Sequence, residues 1–187
     1  MKRMALTLTI LFTAKISLAT SVVLMPFETL VARSDTVVHG IVRFLDKKQP
    51  LAEDDTYRTI VQLEVIEGIK GLGPNEKILE IPVPGGYLDD GRRLQVIGMP
   101  QFRVGDEVVL LLQAMAYGYA PIGFAQGVFY VDRKSQAPQA KRLIGGGHYI
   151  QNKKLLTAKI APENNLPRLL EQLRTLTRRY PTRQVTP

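Results

Sequence analysis

The stretch Tyr57–Gly68, YRTIVQLEVIEG, decides the fold class because its side chains alternate in polarity. Arg58, Gln62 and Glu64 stand between positions that are mostly apolar up to Val65. A period of two residues is typical of a β-strand that buries one face and exposes the other. We therefore predict a half-buried strand here, with its polar side chains facing solvent.

Similar patterns on both sides of this stretch predict a mainly β fold. A short helix over Phe27–Asp35 precedes the strands, because Pro26 suits a first helical turn. The other predicted strands are Thr36–Leu45, with Val38, Gly40, Val42 and Phe44 on one face, then Lys77–Val83, Glu107–Leu112 and Gly127–Val131. Short strands separated by Gly/Pro turns indicate an antiparallel sheet. We predict a small OB-like antiparallel barrel of about five to six strands.

The C-terminal segment changes to a helical pattern, and its apolar side chains fall within an arc of about 120°. They are Leu166, Leu169, Leu170, Leu173, Leu176 and Tyr180, and Arg168, Arg174, Arg178 and Arg179 lie on the opposite side. Asn164 or Asn165 suits the N-cap, and Pro181 ends the pattern. We predict an amphipathic C-terminal helix, followed by a disordered tail.

The N-terminus has the layout of a secretory signal peptide. A basic start, Met1–Arg3, precedes an apolar run of about eleven residues and the small residues Ser17 and Ala19. The run is shorter than the roughly 20 residues that span a bilayer. We expect cleavage after Ala19 and a periplasmic or secreted mature chain without a transmembrane segment. A buried N-terminal helix is the alternative.

The predicted organisation has three parts: a signal peptide over 1–19, a β-barrel domain over 20–160, and a helix with its tail over 161–187. Charge is distributed unevenly among them. Residues 20–140 carry 12 basic and 15 acidic side chains, whereas residues 141–187 carry 10 and 2. Such asymmetry indicates either a polyanionic partner, bound through Arg174, Arg178 and Arg179, or a basic segment that folds back on an acidic body.

Five glycines in Pro82–Leu112 raise the question of a phosphate-binding loop. A Walker loop or a dinucleotide fingerprint requires a fixed glycine spacing that opens a helix, and neither pattern is present. Pro84-Gly85-Gly86 and Asp89-Asp90-Gly91 are turn sequences instead, and Arg103–Asp106 is a turn before the next strand. We predict turns here, with Arg92 and Arg93 as candidate binding residues at the edge of the loop.

A catalytic or metal site is hard to assemble from this sequence. There is no cysteine, and the two histidines, His39 and His148, are 109 residues apart. None of the serines lies in a nucleophile elbow, and the acidic pairs Asp54-Asp55 and Asp89-Asp90 are typical of solvated loops. We predict no enzyme activity, no metal and no cofactor. Nucleic acid is not expected either, because the aromatic residues lie outside the basic C-terminal segment.

Four segments together resemble a group of exported bacterial proteins of unknown function. They are Leu30–Leu45, Leu63–Gly71, Ile81–Leu112 and Ile122–Val131. The shared pattern is P-G-G, then G-x-P-x-F-x-x-G-D/E, then G-x-x-Q-G-x-F, and Pro100–Asp106 is its most specific part. The helix-then-strand opening is similar, more distantly, to the netrin-like barrel of tissue metalloproteinase inhibitors. That resemblance implies a closed five-stranded barrel. The family's inhibitors chelate the catalytic zinc with an N-terminal cysteine, and this mechanism does not carry over because the chain has no cysteine.

These observations favour an exported, non-enzymatic binding protein with a protein partner. A partner or inhibitor of an exported protease is one form of this hypothesis. Two alternatives stay open. The first is a polyanion or envelope-surface binder that uses the basic C-terminal helix, and the second is a hydrolase with His39 or His148 as its base.

Overall fold

The computed structural model describes residues 21–48, 57–88, 90–116, 118–134, 137–143, 148–151, 154–157 and 164–182. The predicted signal peptide over 1–19, the acidic pair Asp54-Asp55 and the end of the predicted tail, 183–187, lie outside the described residues. Within them, no helix is both long enough and apolar enough to cross a membrane.

The described part of the chain forms strands of two to 13 residues and two α-helices. The helices are α1 (Phe27–Arg33) and α2 (Leu166–Arg179), and a one-turn 3-10 helix covers Phe124–Gly127. The strands are β1 (Ser21–Val23), β2 (Thr36–Lys48), β3 (Arg58–Lys70), β4 (Ile78–Pro84), β5 (Gly86–Tyr87), β6 (Arg93–Leu94), β7 (Glu107–Met115), β8 (Gly118–Pro121), β9 (Val128–Asp132), β10 (Gln139–Lys141), β11 (His148–Gln151), β12 (Lys154–Thr157) and β13 (Asn164–Asn165).

One antiparallel sheet organises the molecule. Its strands run in the order β13-β10-β9-β7-β2-β3-β4, and β8 pairs with the far end of β7. The mainly β class and both helices are thus confirmed. The sheet is open, because its outermost strands β13 and β4 do not pair in the described part of the chain. This corrects the predicted closed barrel, and seven strands lie in this order rather than five or six.

The proline content of β4 gives a physical reason for the open edge. Pro82 and Pro84 have no N–H group, so neither can donate a hydrogen bond to a further strand. Strand β8 packs beside β4 instead of pairing with it: a Cβ placed on Gly118 would lie 3.5 Å from Cδ of Pro82. The sheet therefore curls without closing.

The sheet is buried on both faces at its central strand, β7. Successive residues of β7 alternate between two apolar clusters. The inner core comprises Val38, Val42, Val61, Leu63, Leu79, Ile81, Val83, Phe102, Val108, Leu110, Leu112 and Val128. The helix-side core comprises Leu30, Val31, Val37, Val109, Leu111, Ile122, Phe129, Ala140, Leu166, Leu169 and Leu173. The central strand consequently reads as a continuous apolar run, as a strand buried on both faces does.

Helix α2 docks on the sheet rather than extending into solvent. Leu169 and Leu173 are fully buried in the helix-side core. The side chain of Asn165 accepts a hydrogen bond from the backbone N–H of Arg168 at 3.4 Å, which confirms the predicted N-cap. The guanidinium of Arg174 forms a bidentate ion pair with Glu67 of β3, at 2.8 and 2.7 Å. At this position the basic segment does fold back on the acidic body.

Phe44, which the sequence places on the same face as two buried valines, lies on the surface of the protein. Phe44 was expected to share the buried face of Val38 and Val42, but its side chain is 52% exposed. The pairing of β2 with β3 shifts register between Val42 and Phe44. A bulge reverses the faces of the residues that follow it, and an alternating pattern in the sequence does not reveal a bulge.

Candidate binding cavity beneath residues 85–103

The segments 85–88 and 90–103, which we together call the covering segment, enclose a cavity of about 420 Å³ against the sheet. The opposite wall comes from the ends of β2, β3 and β4, including Leu45, Thr59 and Val83. Its volume lies within the range of roughly 300–1,000 Å³ that is common for ligand sites. The glycine-rich stretch that the sequence identifies as a set of turns therefore also forms one wall of a cavity.

Two glycines bring the covering segment close to the sheet. Gly85 and Gly86 have φ values of 100° and 144°, which L-residues rarely adopt. A Cβ on Gly85 would lie 2.8 Å from the carbonyl oxygen of Leu94, and one on Gly86 would lie 2.7 Å from Oγ1 of Thr59. Thr59 in turn donates its hydroxyl proton to the carbonyl of Gly85 at 3.0 Å. A larger side chain at position 86 would push the covering segment away from β3, and one at position 85 would collide with the backbone of β6.

A hairpin follows the two glycines. Strands β5 and β6 pair antiparallel around a turn in which the N–H of Leu88 donates to the carbonyl of Arg92 at 2.7 Å. Gly91 adopts a φ of 82° in that turn, which confirms the turn predicted at Asp90-Gly91. Asp90 accepts hydrogen bonds from the backbone N–H and from Nε of Arg92, at 3.0 and 2.6 Å. Arg92 thus stabilises the tip of the hairpin.

The C-terminal end of the covering segment is fixed to the body. Phe102 is only 9% exposed, because its ring packs in the inner core. The hydroxyl of Tyr130 donates to the carbonyl of Gln101 at 2.7 Å. Burial raises the pKa of Tyr130, so this donor stays protonated. The predicted turn after Arg103 is confirmed, since the backbone N–H of Asp106 donates to the carbonyl of Arg103 at 3.0 Å. The N–H of Gly105 donates to the carbonyl of Val42 at 2.8 Å, which ties this turn to β2. Hydrogen bonds near both of its ends therefore hold the covering segment against the body.

The cavity has an apolar floor and a cationic mouth. Val61, Val83 and Phe102 are buried beneath it, and Arg93 and Arg103 line it. Nη2 of Arg93 donates to Oε1 of Gln101 at 3.2 Å. In the part of the chain that the structure describes, the guanidinium of Arg103 has no hydrogen-bond or ion-pair partner. Among the described residues, no aspartate or glutamate lines the cavity.

Exposed apolar side chains flank the mouth. Leu94, which lines the cavity, is 41% exposed, and Ile97 and Val104 are more than half exposed. Ile97 lies in the tight turn between Val96 and Met99, two other lining residues. Neighbouring exposed apolar residues beside a cavity are typical of a surface that contacts another molecule.

The five predicted binding residues do not form one site in the structure. Arg93 lines the cavity, whereas Arg92 does not and pairs with Asp90. Arg174 pairs with Glu67, and this hydrogen bond holds the pKa of Glu67 below its usual value against the opposing effect of burial. Arg178 and Arg179 are exposed in the last turn of α2.

Sequence reasoning missed Arg103, Gln95 and Phe102 as cavity residues. For Phe102 and Arg103 the signal was present in the P-x-F-x-x-G-D stretch, which the resemblance marked as its most specific part. Only the turn was read from it, because nothing in a single sequence shows that this turn folds back over β3 and β4.

His39 belongs to a buried ion-pair cluster away from the cavity. Its side chain is 6% exposed, and Nε2 lies 2.8 Å from Oε1 of Glu107. Arg133 holds the same carboxylate and is the main reason that the pKa of Glu107 lies below its usual value. The hydroxyl of Ser34 donates to the carbonyl of Val31. Neither His39 nor Ser34 has the geometry of a base with its nucleophile.

His148 pairs through its backbone in the small sheet of β1, β11 and β12, and its side chain lies outside the described residues. Among the residues that the structure describes, no three histidine or acidic side chains form a group that could hold a metal ion.

Models of protein families, curated proteins and solved structures were compared with this chain, and none of them matches it. The two resemblances described above therefore stay predictions, and the function has to be argued from the site.

Proposed function

We propose that this chain is an exported, non-enzymatic binding protein that holds a protein partner at the mouth of the cavity. The observation that carries the proposal is the cavity itself, which is flanked by exposed apolar side chains. Interfaces between proteins concentrate their binding energy where a few apolar anchors of one partner fill a pocket of the other. The predicted signal peptide supports an exported location.

The anatomy of the mouth fits such an interface. Leu94 and Ile97 supply apolar area, while Arg93, Arg103 and Gln101 supply polar groups around it. Arginine is enriched at interfaces because its planar guanidinium makes several directed hydrogen bonds. A site fixed at both ends, by Gly85 and by Phe102, loses little conformational entropy on binding. An exported protease remains one class of partner that this proposal includes.

The polyanion alternative has less support. Arg174 is already paired with Glu67, which leaves Arg178 and Arg179 from the predicted set. The groove between α1 and α2 also contains Glu28 and Glu171 beside Arg168. Acidic side chains within a basic surface weaken its attraction for a polyanion.

Replacing Leu94 by aspartate is expected to abolish partner capture from the exported fraction of the native organism. The substitution puts a charge where the partner has to exclude water. We expect the affinity to fall by about 100-fold, which corresponds to roughly 2.7 kcal/mol. Leu143→Asp is the matched control, because Leu143 is 46% exposed and follows β10, at the other end of the sheet from the cavity.

The measurement is the amount of defined protein that the wild type and both variants retain at high salt. Equal retention by wild type and Leu94→Asp would exclude the mouth of the cavity as the interface. Retention of mixed polyanions, lost in high salt, would instead favour the basic helix.

A further inference from the structure

A strained aromatic residue lies in the loop that follows β8. Phe124 begins the one-turn 3-10 helix Phe124–Gly127, and its φ is 62°. Among the described residues, it is the one non-glycine residue with a positive φ. This region is unfavourable for a bulky L-residue, because its Cβ comes too close to the following carbonyl oxygen. Residues held in such conformations are frequent at functional sites.

The ring of Phe124 does not contribute to the core of the protein. The residue is 44% exposed, and it belongs to neither the inner core nor the helix-side core. In the described part of the chain, no other aromatic ring contacts it. Glycine or asparagine adopts a positive φ at lower cost. The fold alone therefore does not account for an aromatic residue at this position.

Hydrogen bonds on two sides hold this 3-10 helix in place. The backbone N–H of Ala125 donates to the carbonyl of Gly98 in the covering segment at 3.0 Å. The buried side-chain amide of Gln126 accepts from the N–H of Met25 at 2.8 Å and donates to the carbonyl of Val23 at 3.0 Å. An aromatic side chain on a fixed backbone loses little conformational entropy when another molecule buries it.

The ring also lies beside the mouth of the cavity. A Cβ placed on Gly98 would lie 4.0 Å from Cγ of Phe124, and Gly98 follows Ile97, which flanks the mouth and is 67% exposed. The exposed ring and the cavity of about 420 Å³ therefore belong to one region of the surface. A protein surface has the relief to complement both of them. A flat bilayer surface would leave the cavity unfilled.

We propose that Phe124 is an aromatic anchor of the interface at the mouth of the cavity, and that its ring enters an apolar recess of the protein partner. This inference rests on the proposed function. Rigid aromatic side chains that are fully enclosed at an interface contribute a large share of its binding energy. Apolar side chains are expected to line the recess, because a hydrocarbon ring offers no hydrogen bond to a buried polar group.

Phe124→Asn removes the ring and keeps a residue that tolerates the positive φ. The concentration of bait that gives half-maximal capture from the exported fraction should rise by about 30-fold. The midpoint of thermal unfolding should stay within about 3 °C of the wild type, because relief of the unfavourable φ offsets the lost contacts of the ring.

Phe44→Asn is the matched control, because it removes the same ring from another exposed position. Phe44 is 52% exposed and does not have a positive φ. Its side chain lies on the face of β2 opposite to that of Leu45, which lines the cavity. Capture by this variant should equal capture by the wild type.

Photo-crosslinking identifies what surrounds the ring. A benzophenone amino acid at position 124 keeps an aromatic side chain there, and the same amino acid at position 44 is the control. Each protein is irradiated in the exported fraction of the native organism, and the crosslinked atoms are located by mass spectrometry. We expect position 124 to crosslink to apolar residues of one captured protein and position 44 to crosslink to none.

Unchanged half-maximal capture in a folded Phe124→Asn variant would overturn the proposal. So would a midpoint lowered by more than about 3 °C, which would assign the ring to the fold. Crosslinks from position 124 to lipid would identify a membrane as the occupant instead of a protein. The two proposals fail in different ways. Capture that Leu94→Asp abolishes and Phe124→Asn leaves unchanged contradicts the anchor alone. A wild type that retains no defined protein contradicts the proposed function itself.

Discussion

Leu111→Ala is expected to lower the free energy of unfolding by about 3 kcal/mol, and Leu110→Ala by a similar amount. The two neighbouring residues of β7 are both fully buried, but they enter different clusters. Leu110 packs in the inner core beneath β3 and β4, and Leu111 packs under α1 and α2. Each truncation removes apolar contacts and leaves a cavity that the surrounding strands cannot fill.

The comparison tests the two-sided burial of the sheet. Met115→Ala, at the end of the same strand, is the control, because Met115 is 44% exposed and its loss should cost less than about 1 kcal/mol. Urea denaturation followed by circular dichroism measures all three variants. A cost at Leu111 as small as that at Met115 would show that the helices do not cover the sheet in solution.

Gly71→Ala is the second substitution with a large expected effect, above about 2 kcal/mol of unfolding free energy. Gly71 has a φ of 64°, and the left-handed region costs an L-residue about 1–2 kcal/mol. An added Cβ would also overlap the backbone carbonyl oxygen of Asp35. The clash involves backbone, so it can be relieved only if the junction between α1 and β2 moves.

That junction is held together by a buried lysine. Nζ of Lys70, the residue before Gly71, donates to the carbonyls of Val31 and Ser34 at the end of α1, at 3.1 and 2.5 Å. Moving the backbone at Gly71 would disturb these hydrogen bonds as well. Burial lowers the pKa of Lys70, because little water reaches its ammonium group. Water would therefore not readily replace these hydrogen bonds if they were broken.

Gly73→Ala is the matched control for this prediction. Gly73 lies two residues further along the chain, without a left-handed φ, and an added Cβ would meet nothing closer than an atom of the Glu76 side chain at 3.5 Å. Its replacement should change stability by less than about 0.5 kcal/mol. Similar midpoints for both variants in thermal unfolding would contradict the role assigned to Gly71.

The sequence predicts the elements whose patterns are local. In strand β3 the burial of the side chains follows the alternation of polarity in the sequence, with Val61 and Leu63 buried and Glu64 exposed. In helix α2 the predicted buried leucines, the N-cap at Asn165 and the end before Pro181 are all present in the structure. The turns at Gly91 and Gly105 follow from residues that tolerate positive φ. In each case the determining interactions lie within a few residues of one another.

Features that depend on distant pairs are not predictable from these patterns. The sheet stays open because β4 carries two prolines and because β8 leaves the pairing path. The two-residue strands β5, β6 and β13 are too short to show a period. The burial of His39 does not follow from the pattern of β2 either, because it depends on Glu107 and Arg133, which come to it from elsewhere in the chain.

The candidate site shows the same division. Arg93 could be predicted as a binding residue because it follows a turn, and it does line the cavity. Arg103 could not, because its place beside Val83 and Thr59 results from a segment of about twenty residues folding back over the sheet. The covering segment is thus a set of local turns in sequence and a cavity wall in three dimensions.

Site-specific photo-crosslinking tests the central claim, that the cavity is where the partner binds. A photoreactive amino acid replaces Gln95, which is exposed and lines the cavity, or Gln172, which is exposed in the groove between α1 and α2. Each protein is then irradiated in the exported fraction of the native organism. We predict one defined crosslinked protein from position 95 and none from position 172. A crosslink formed only from position 172 would contradict this account and place the working surface on the C-terminal helix.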